Sequence, residues 1–155
     1  MAQFGTVFCD HIAISHYKEG AWQEAAIEPL APLPMHPASH VLHYASTCFA
    51  GFKAYRWDDG KARIFRLHDH VARMQKSAVS LSLPVPDAEM LANMVLDIVA
   101  KNIDDIPAPP SSLYLRSTLI GTLPNIGAAA APSTEATLFV LTSPVGDYFE
   151  GGARP

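Results

Sequence analysis

The sequence has few charged residues and only two cysteines. Charged side chains make up 17% of the 155 residues, and the formal net charge is −4. The chain has no basic run, whereas a protein that binds nucleic acid needs clustered lysine and arginine to displace counterions. Cys9 and Cys48 are too few for a disulfide framework and lie in no CxxC pair. This cysteine usage suits a reduced cytoplasm.

The chain also lacks a long apolar run and an export signal. No window approaches the ~20 apolar residues that a membrane-spanning helix requires. The opening, MAQFGTVFCDHIAISHY, has no cationic segment followed by an apolar stretch. We therefore expect a cytoplasmic protein that is neither exported nor bound to a membrane. Because 49% of the residues are hydrophobic, part of the surface is expected to meet a partner.

Proline and glycine divide the chain into short elements. Apolar patterns predict helices at about 69–82 and 87–102 and strands at 6–17, 53–57, 62–66, 111–121 and 135–143. The second and third strands are expected to form a hairpin, because the Asp-Gly of DDG tolerates the positive φ of a tight turn. The last strand is apolar on both faces, which predicts a central or covered position. This order predicts an α+β fold with two helices on one face of a mainly antiparallel sheet.

Two arginines are candidates for binding anions. Alternation in SLYLRST places Arg116 between Tyr114 and Thr118 on one face of a strand. Spacing alone leaves two interpretations open, a solvated arginine at a sheet edge or a pocket cation that binds a carboxylate. Arg73 lies about one turn from the start of the first helix. It is either a solvated charge or a phosphate-binding group near a helix N-terminus.

Seven histidines raise the question of a metal site. His36, His40 and His43 lie in a proline-rich approach to a strand rather than on a clear helix. The pair His68 and His70 has no evident third ligand. Because a closed zinc site needs several converging ligands, we predict no metal site. The sequence also contains no P-loop, GxSxG elbow or dinucleotide-binding glycine fingerprint.

Three ordered motifs resemble those of branched-chain-amino-acid aminotransferases. LHYASTCFAGFKAYRWDDGKARIFRLHDHVARMQKSA is similar to the signature stretch of that family. SLYLRSTLIGTLPNIGA and LFVLTSPVGDYF are similar to its next two segments. The resemblance implies a fold-type IV enzyme that uses pyridoxal 5′-phosphate. Such an enzyme transfers the amino group between leucine, isoleucine or valine and 2-oxoglutarate, with glutamate as the other amino acid, and it is expected to be a homodimer.

The resemblance also implies a division into domains. Residues 1–142 correspond to the small N-terminal domain and 143–155 to the start of the interdomain linker, with the active site between the small and the large domain. In the family, the lysine that bonds the cofactor lies in the large domain, beyond this sequence. None of the lysines of this chain, at 18, 53, 61, 76 and 101, matches it. We therefore expect no catalytic residue in this chain and no activity from this segment alone.

Other activities stay open beside the leading interpretation. One alternative is a related fold-type IV enzyme, a D-amino-acid aminotransferase or an aminodeoxychorismate lyase, although the motifs GFKAY, YLR and SPVGDYF argue against it. Another is a non-catalytic remnant that only dimerises or binds a ligand.

Individual residues receive expected roles from the resemblance. Arg73 matches the arginine that holds the cofactor phosphate. The positions that match the walls of the substrate pocket, some of them reaching the partner subunit's pocket, are Phe4, Tyr44, Phe49, Tyr114, Arg116, Ile126, Ala128 and Tyr148. FAGFKAY departs from the family, because Ala50 stands where an acidic residue is usual. This change predicts a lost negative charge beside the pocket entrance.

Overall fold

One antiparallel sheet with its two long helices packed on a single face makes up the fold. The computed structural model describes residues 4–127 and 131–146, and all of the following elements lie within those ranges. The strands are β1 His11–Lys18, β2 Ala21–Trp22, β3 Ala26–Pro29, β4 Thr47–Arg56, β5 Ala62–Ile64, β6 Ser112–Gly121 and β7 Ala136–Val145. The helices are α1 His40–Tyr44, α2 Leu67–Ser80 and α3 Ala88–Lys101, and a 3-10 turn follows at Ile103–Asp105. The predicted α+β class is confirmed.

The strand order is β2-β1-β7-β6-β4-β5, with β3 also paired to β1. All the pairings are antiparallel. β7 lies between β1 and β6 and is largely buried on both faces, as its two-sided apolar sequence predicted.

Alternation along β6 separates the two faces of the sheet. Leu113, Leu115 and Leu119 have no exposed surface and pack in one core with residues of α2 and α3. Tyr114 and Arg116 point to the opposite face and are only half-buried. One face of the sheet is therefore the core side, and the other, which we call the helix-free face, carries the polar and aromatic candidates.

The two long helices begin and end within two residues of their predicted bounds. The Asp87 carboxylate starts α3 by accepting a hydrogen bond from the Met90 backbone N–H at 2.9 Å. α2 ends at Ser80, and Leu81, inside the predicted helix bounds, is 43% exposed. None of the helices in the described ranges is long and apolar enough to cross a membrane.

Several strand bounds differ from the predictions. β1 begins at His11 rather than at residue 6, and β4 begins at Thr47, well before the predicted 53. β5 ends at Ile64 because Arg66 takes a left-handed conformation, with φ of +56°, before α2. β7 continues to Val145, so that residues 143–145, assigned from the sequence to the linker, are paired strand residues.

Two elements of the segment between β2 and β4 were not predicted. β3 is a short edge strand that ends at Pro29, a position where a missing N–H costs no ladder bond. α1 spans five residues and includes His40 and His43. The interpretation of these two histidines as lying outside any helix was therefore wrong.

The core leucines of β6 should contribute strongly to stability. We expect Leu115→Ala to lower the free energy of unfolding by about 2–5 kcal/mol, since it deletes a fully buried side chain beneath the helices. Leu96→Ala on α3 is the control, because Leu96 is 49% exposed and such changes usually alter stability by less than about 0.5 kcal/mol. Urea unfolding measures both. Equal losses in the two variants would contradict the assignment of the core face.

Candidate active site

The segment CFAGFKAY in β4 supplies residues to both faces of the sheet. Ala50 and Phe52 are buried on the core side. Phe49 and Gly51 point to the helix-free face, opposite Thr118 and Arg116 of β6 respectively. The stretch is thus both core and pocket wall.

Phe4, Phe49, Tyr114 and Arg116 form one contiguous group, which we call the Arg116 cluster. The Arg116 guanidinium carbon lies 4.1 Å from the centre of the Phe49 ring and 5.7 Å from that of Tyr114. Arg116 Nη2 donates to the Tyr114 hydroxyl at 3.2 Å. The Phe4 ring meets Tyr114 edge-on, with 5.0 Å between the ring centres. The structure therefore brings four of the predicted substrate residues together.

Arg116 has no acidic partner in the cluster. Among the described residues, the salt bridges involve Arg56, Arg63 and Arg66, and none involves Arg116. β6 is an interior strand between β4 and β7, so the interpretation of Arg116 as a solvated sheet-edge residue was wrong. A half-buried guanidinium with aromatic walls and N–H groups to spare is suited to bind a carboxylate.

Gly51 allows the Tyr114 ring to lie against β4. A Cβ atom at this position would stand 2.1 Å from the Tyr114 hydroxyl and 2.9 Å from the adjacent ring carbon. Both distances are far below van der Waals contact, so any other residue would displace the phenol. Sequence reasoning did not single out Gly51 as a site residue.

Arg73 approaches the same glycine from α2. Its Nη2 donates to the Gly51 carbonyl oxygen at 3.3 Å and to His70 Nδ1 at 3.1 Å. Because arginine only donates, His70 Nδ1 must accept, and the ring proton lies on Nε2. Burial, together with the nearby Arg73 charge, lowers the pKa of His70, which favours this neutral form.

His70 is itself held in place by stacking. Its ring lies on the Phe52 ring with 4.6 Å between the centres and 10° between the planes. The sequence had indicated His70 only as an incomplete metal ligand. The spacing of one helical turn between His70 and Arg73 was the available signal for a contact between them.

Arg73 is exposed, and no carboxylate of the described residues forms a salt bridge with it. It lies six residues after Leu67, the first residue of α2, which is roughly 9 Å along the helix axis. Arg73 is therefore farther from the helix start than the predicted single turn, and Arg66 and Asp69 form an ion pair at that helix end. An exposed guanidinium without a salt bridge to a described carboxylate fits a phosphate group.

Tyr44 and Ile126 form a second group. The Tyr44 hydroxyl donates to the Ile126 backbone carbonyl at 2.5 Å, and the Ile126 residue is 64% exposed. Both lie on segments next to the paired ends of β4 and β6, where Thr47 faces Ile120. Ala128 and Tyr148, the other two predicted pocket residues, lie outside the described residues.

Ala50 is not beside the pocket entrance. It is 1% exposed on the core side of β4, and its carbonyl accepts from the Ser117 hydroxyl at 3.3 Å. The expected loss of a negative charge from the pocket was therefore wrong, because residue 50 points away from Phe49 and Gly51.

Neither the two cysteines nor the potential metal ligands of the described residues form a further site. Burial raises the pKa of Cys9 to about 11 and also raises that of Cys48, so both thiols stay protonated near neutral pH. Within the described ranges, no three side chains of His, Cys, Asp or Glu are grouped closely enough to hold a metal ion.

A cavity of about 450 Å³ lies elsewhere on the helix-free face, over β1 and beneath the proline-rich segment 29–36. The residues that line it include His16, Lys18 and Glu28. The Nδ1 atom of His16 lies 2.9 Å from the Thr137 hydroxyl. Burial and the Lys18 charge lower the pKa of His16. None of the predicted site residues lines this cavity, so the site built around Gly51 is distinct from it.

Comparisons of the sequence and of the fold with known proteins find the same kind of enzyme. The chain is 41% identical to the cytosolic branched-chain-amino-acid aminotransferase of Caenorhabditis elegans over 155 residues, which is 99% of this chain and 37% of that protein. A crystal structure of the T.th. branched-chain amino acid aminotransferase with pyridoxamine 5′-phosphate matches with a TM-score of 0.73 at 25% identity, over 94% of this chain and 43% of that one. No family model matches the chain.

A second structure of the T.th. enzyme, complexed with N-(5′-phosphopyridoxyl)-L-glutamate, matches with a TM-score of 0.69 at 25% identity, covering 88% of this chain and 41% of that one. The chain thus spans about two-fifths of the length of these proteins. Over almost all of its own length, the chain is similar in sequence and in fold to about two-fifths of a branched-chain-amino-acid aminotransferase.

Proposed function

We propose that the chain is the small domain of a branched-chain-amino-acid aminotransferase that uses pyridoxal 5′-phosphate. Residues 1–142, extended by the paired strand residues up to Val145, form this domain, and the chain after it leads to a large domain that supplies the lysine bonded to the cofactor. The observation that carries the proposal is the pair of arginines around Gly51, neither of which forms a salt bridge with a described carboxylate. An anion can therefore be held on each side of this glycine.

Arg73 holds the cofactor phosphate in this proposal. Pyridoxal 5′-phosphate, when bound, supplies the electron sink that amino-group transfer requires. The chain's own contribution is to place a permanently charged guanidinium, oriented by His70 and by the Gly51 carbonyl, where the phosphate can meet it.

The Arg116 cluster binds the side chain of the amino acid. Phe4 and Phe49, which are 48% and 54% exposed, offer apolar surface to a branched side chain. Burying such a side chain contributes about 1.5–3 kcal/mol. Arg116 offers a charge-assisted pair to the γ-carboxylate of glutamate. One pocket can thus accept leucine in one half-reaction and glutamate in the other.

Tyr44 lines this subunit's own pocket, whereas Ile126 faces a neighbouring subunit in the proposed homodimer. Ile126, with most of its surface exposed and its carbonyl held by Tyr44, would complete the partner's pocket together with Ala128 and Tyr148. We place the enzyme in the cytosol, as the name of the Caenorhabditis elegans relative states for that protein.

Transamination assays on the full-length protein that contains this chain test the proposal. We expect amino-group transfer from L-leucine to 2-oxoglutarate with kcat/KM at least about 100-fold above that for D-alanine, because Phe4 and Phe49 offer apolar surface to a branched side chain that alanine lacks. Sedimentation of the same protein should show a dimer. Preference for D-alanine or conversion of aminodeoxychorismate would favour a related enzyme, and failure with every amino acid would favour a non-catalytic protein.

A further inference from the structure

His40 is a buried histidine whose two ring nitrogens both have partners. It is 6% exposed, at the first position of α1. Its Nδ1 lies 2.9 Å from the Ser46 hydroxyl, and its Nε2 lies 3.2 Å from the Ala131 carbonyl oxygen. A carbonyl can only accept, so Nε2 carries the proton and Nδ1 accepts from Ser46. The imidazole thus connects two segments that are distant in the sequence.

The neighbourhood of His40 leaves no room for a side chain at Gly121. A Cβ atom there would stand 2.6 Å from the Ser46 hydroxyl oxygen and 2.8 Å from Ser133 Cβ. The Ser133 hydroxyl donates to the Glu135 carbonyl at 2.6 Å and accepts from the Leu123 N–H at 3.1 Å. The side chains of His40, Ser46 and Ser133 therefore pack as one unit around the end of β6, which we call the His40 cluster.

Main-chain hydrogen bonds connect the His40 cluster to the segment 122–127. His40 N–H donates to the Leu123 carbonyl at 3.0 Å, and Asn125 N–H donates to the Ala38 carbonyl at 3.1 Å. The His40 ring also contacts the Tyr44 ring, with 4.7 Å between the centres. Tyr44 in turn holds the Ile126 carbonyl. His40 therefore contacts both the helix that carries Tyr44 and the segment that carries Ile126.

We infer that His40 is a positioning residue of the substrate pocket. It holds α1 and the segment 122–127 in one arrangement, and so fixes Tyr44 at this subunit's pocket and Ile126 where the proposed function places it, at the pocket of the neighbouring subunit. This role rests on the proposed function, since His40 acts only through Tyr44 and Ile126. Loss of the imidazole leaves the buried Ser46 hydroxyl without its acceptor and the Ala131 carbonyl without its donor, although the main-chain bonds of His40 N–H to Leu123 and of Asn125 N–H to Ala38 can still form. The side-chain packing that supports these main-chain bonds is loosened, so that α1 and the segment 122–127 can shift.

Kinetics of the full-length enzyme test this role. We expect His40→Ala to raise KM for leucine about tenfold while kcat stays within about twofold, because a displaced pocket rim weakens binding more than chemistry. His40→Asn keeps an acceptor near the Ser46 hydroxyl and should recover most of the loss. His43→Ala is the matched control: His43 lies on the same helix and also contacts a carbonyl, that of Pro37 at 2.9 Å, but its side chain is exposed.

Hydrogen exchange of the full-length protein that contains this chain gives a readout that needs no activity. The Asn125 amide should exchange at least about tenfold faster in His40→Ala than in wild type, with the Leu115 amide unchanged, because only the bridge between the two segments is loosened. An unchanged KM together with a lowered Tm would reduce His40 to a structural role and overturn the inference. So would equal effects of His43→Ala, or unchanged exchange at Asn125. Absence of transamination in the wild type would instead overturn the proposed function.

Discussion

Arg73→Ala in the full-length protein is expected to weaken binding of pyridoxal 5′-phosphate about 100-fold or more. Each charge-assisted hydrogen bond contributes about 1.5–3 kcal/mol, and an arginine can give a phosphate two of them. The guanidinium of Arg73 is exposed and its described contacts are only with the Gly51 carbonyl and His70, so no carboxylate there competes with the phosphate. Both half-reactions should suffer equally, because both use the same cofactor.

Retention of the cofactor after dialysis, followed by its absorbance, measures this effect without relying on activity. Lys76→Ala is the matched control, since Lys76 is an exposed cation on the same helix. If Arg73→Ala retained the cofactor as well as Lys76→Ala did, Arg73 would return to the interpretation of a solvated helix charge.

The contacts that orient Arg73 show which features the sequence was sufficient to predict and which it was not. α2 and its apolar stripe follow from a local period of 3.6 residues and were predicted within two residues. The position of Arg73 beside Gly51 depends on how α2 packs against β4, a contact between elements that no local pattern specifies. Position 51 must be a glycine because the Tyr114 ring lies over it, and only the structure shows this contact.

A strand start predicted too late explains the error at Ala50, and an unpredicted short helix explains that at His40. Alternation would have placed Ala50 on the core side, opposite to Phe49, if β4 had been predicted from Thr47 rather than from residue 53. Small residues in this stretch, including Gly51, weaken the strand pattern, although β6 pairs with all of it. α1 is too short to form by propensity alone and is held by tertiary contacts such as the His40 bond to Leu123.

Alternation along the strand was enough to predict the face of the sheet on which Arg116 lies. That position leads to the most specific test of substrate recognition. Arg116→Leu should lower kcat/KM for glutamate about ten- to a hundredfold, because the lost charge-assisted bond to the γ-carboxylate is worth roughly 1.5–3 kcal/mol. Leucine should change little, since an apolar residue at 116 still packs beside Phe49 and Tyr114.

Single-turnover rates with each amino acid separate this role from a general defect. Arg63→Leu removes an arginine from the exposed hairpin, where it pairs with Asp59 at 2.6 Å, and should leave both substrates unaffected. Equal losses for leucine and glutamate in Arg116→Leu would refute recognition of the γ-carboxylate. Arg116 would then be an arginine that holds Tyr114 and Phe49 in place, because its hydrogen bond to the Tyr114 hydroxyl and its stacking on Phe49 serve the pocket shape for either substrate.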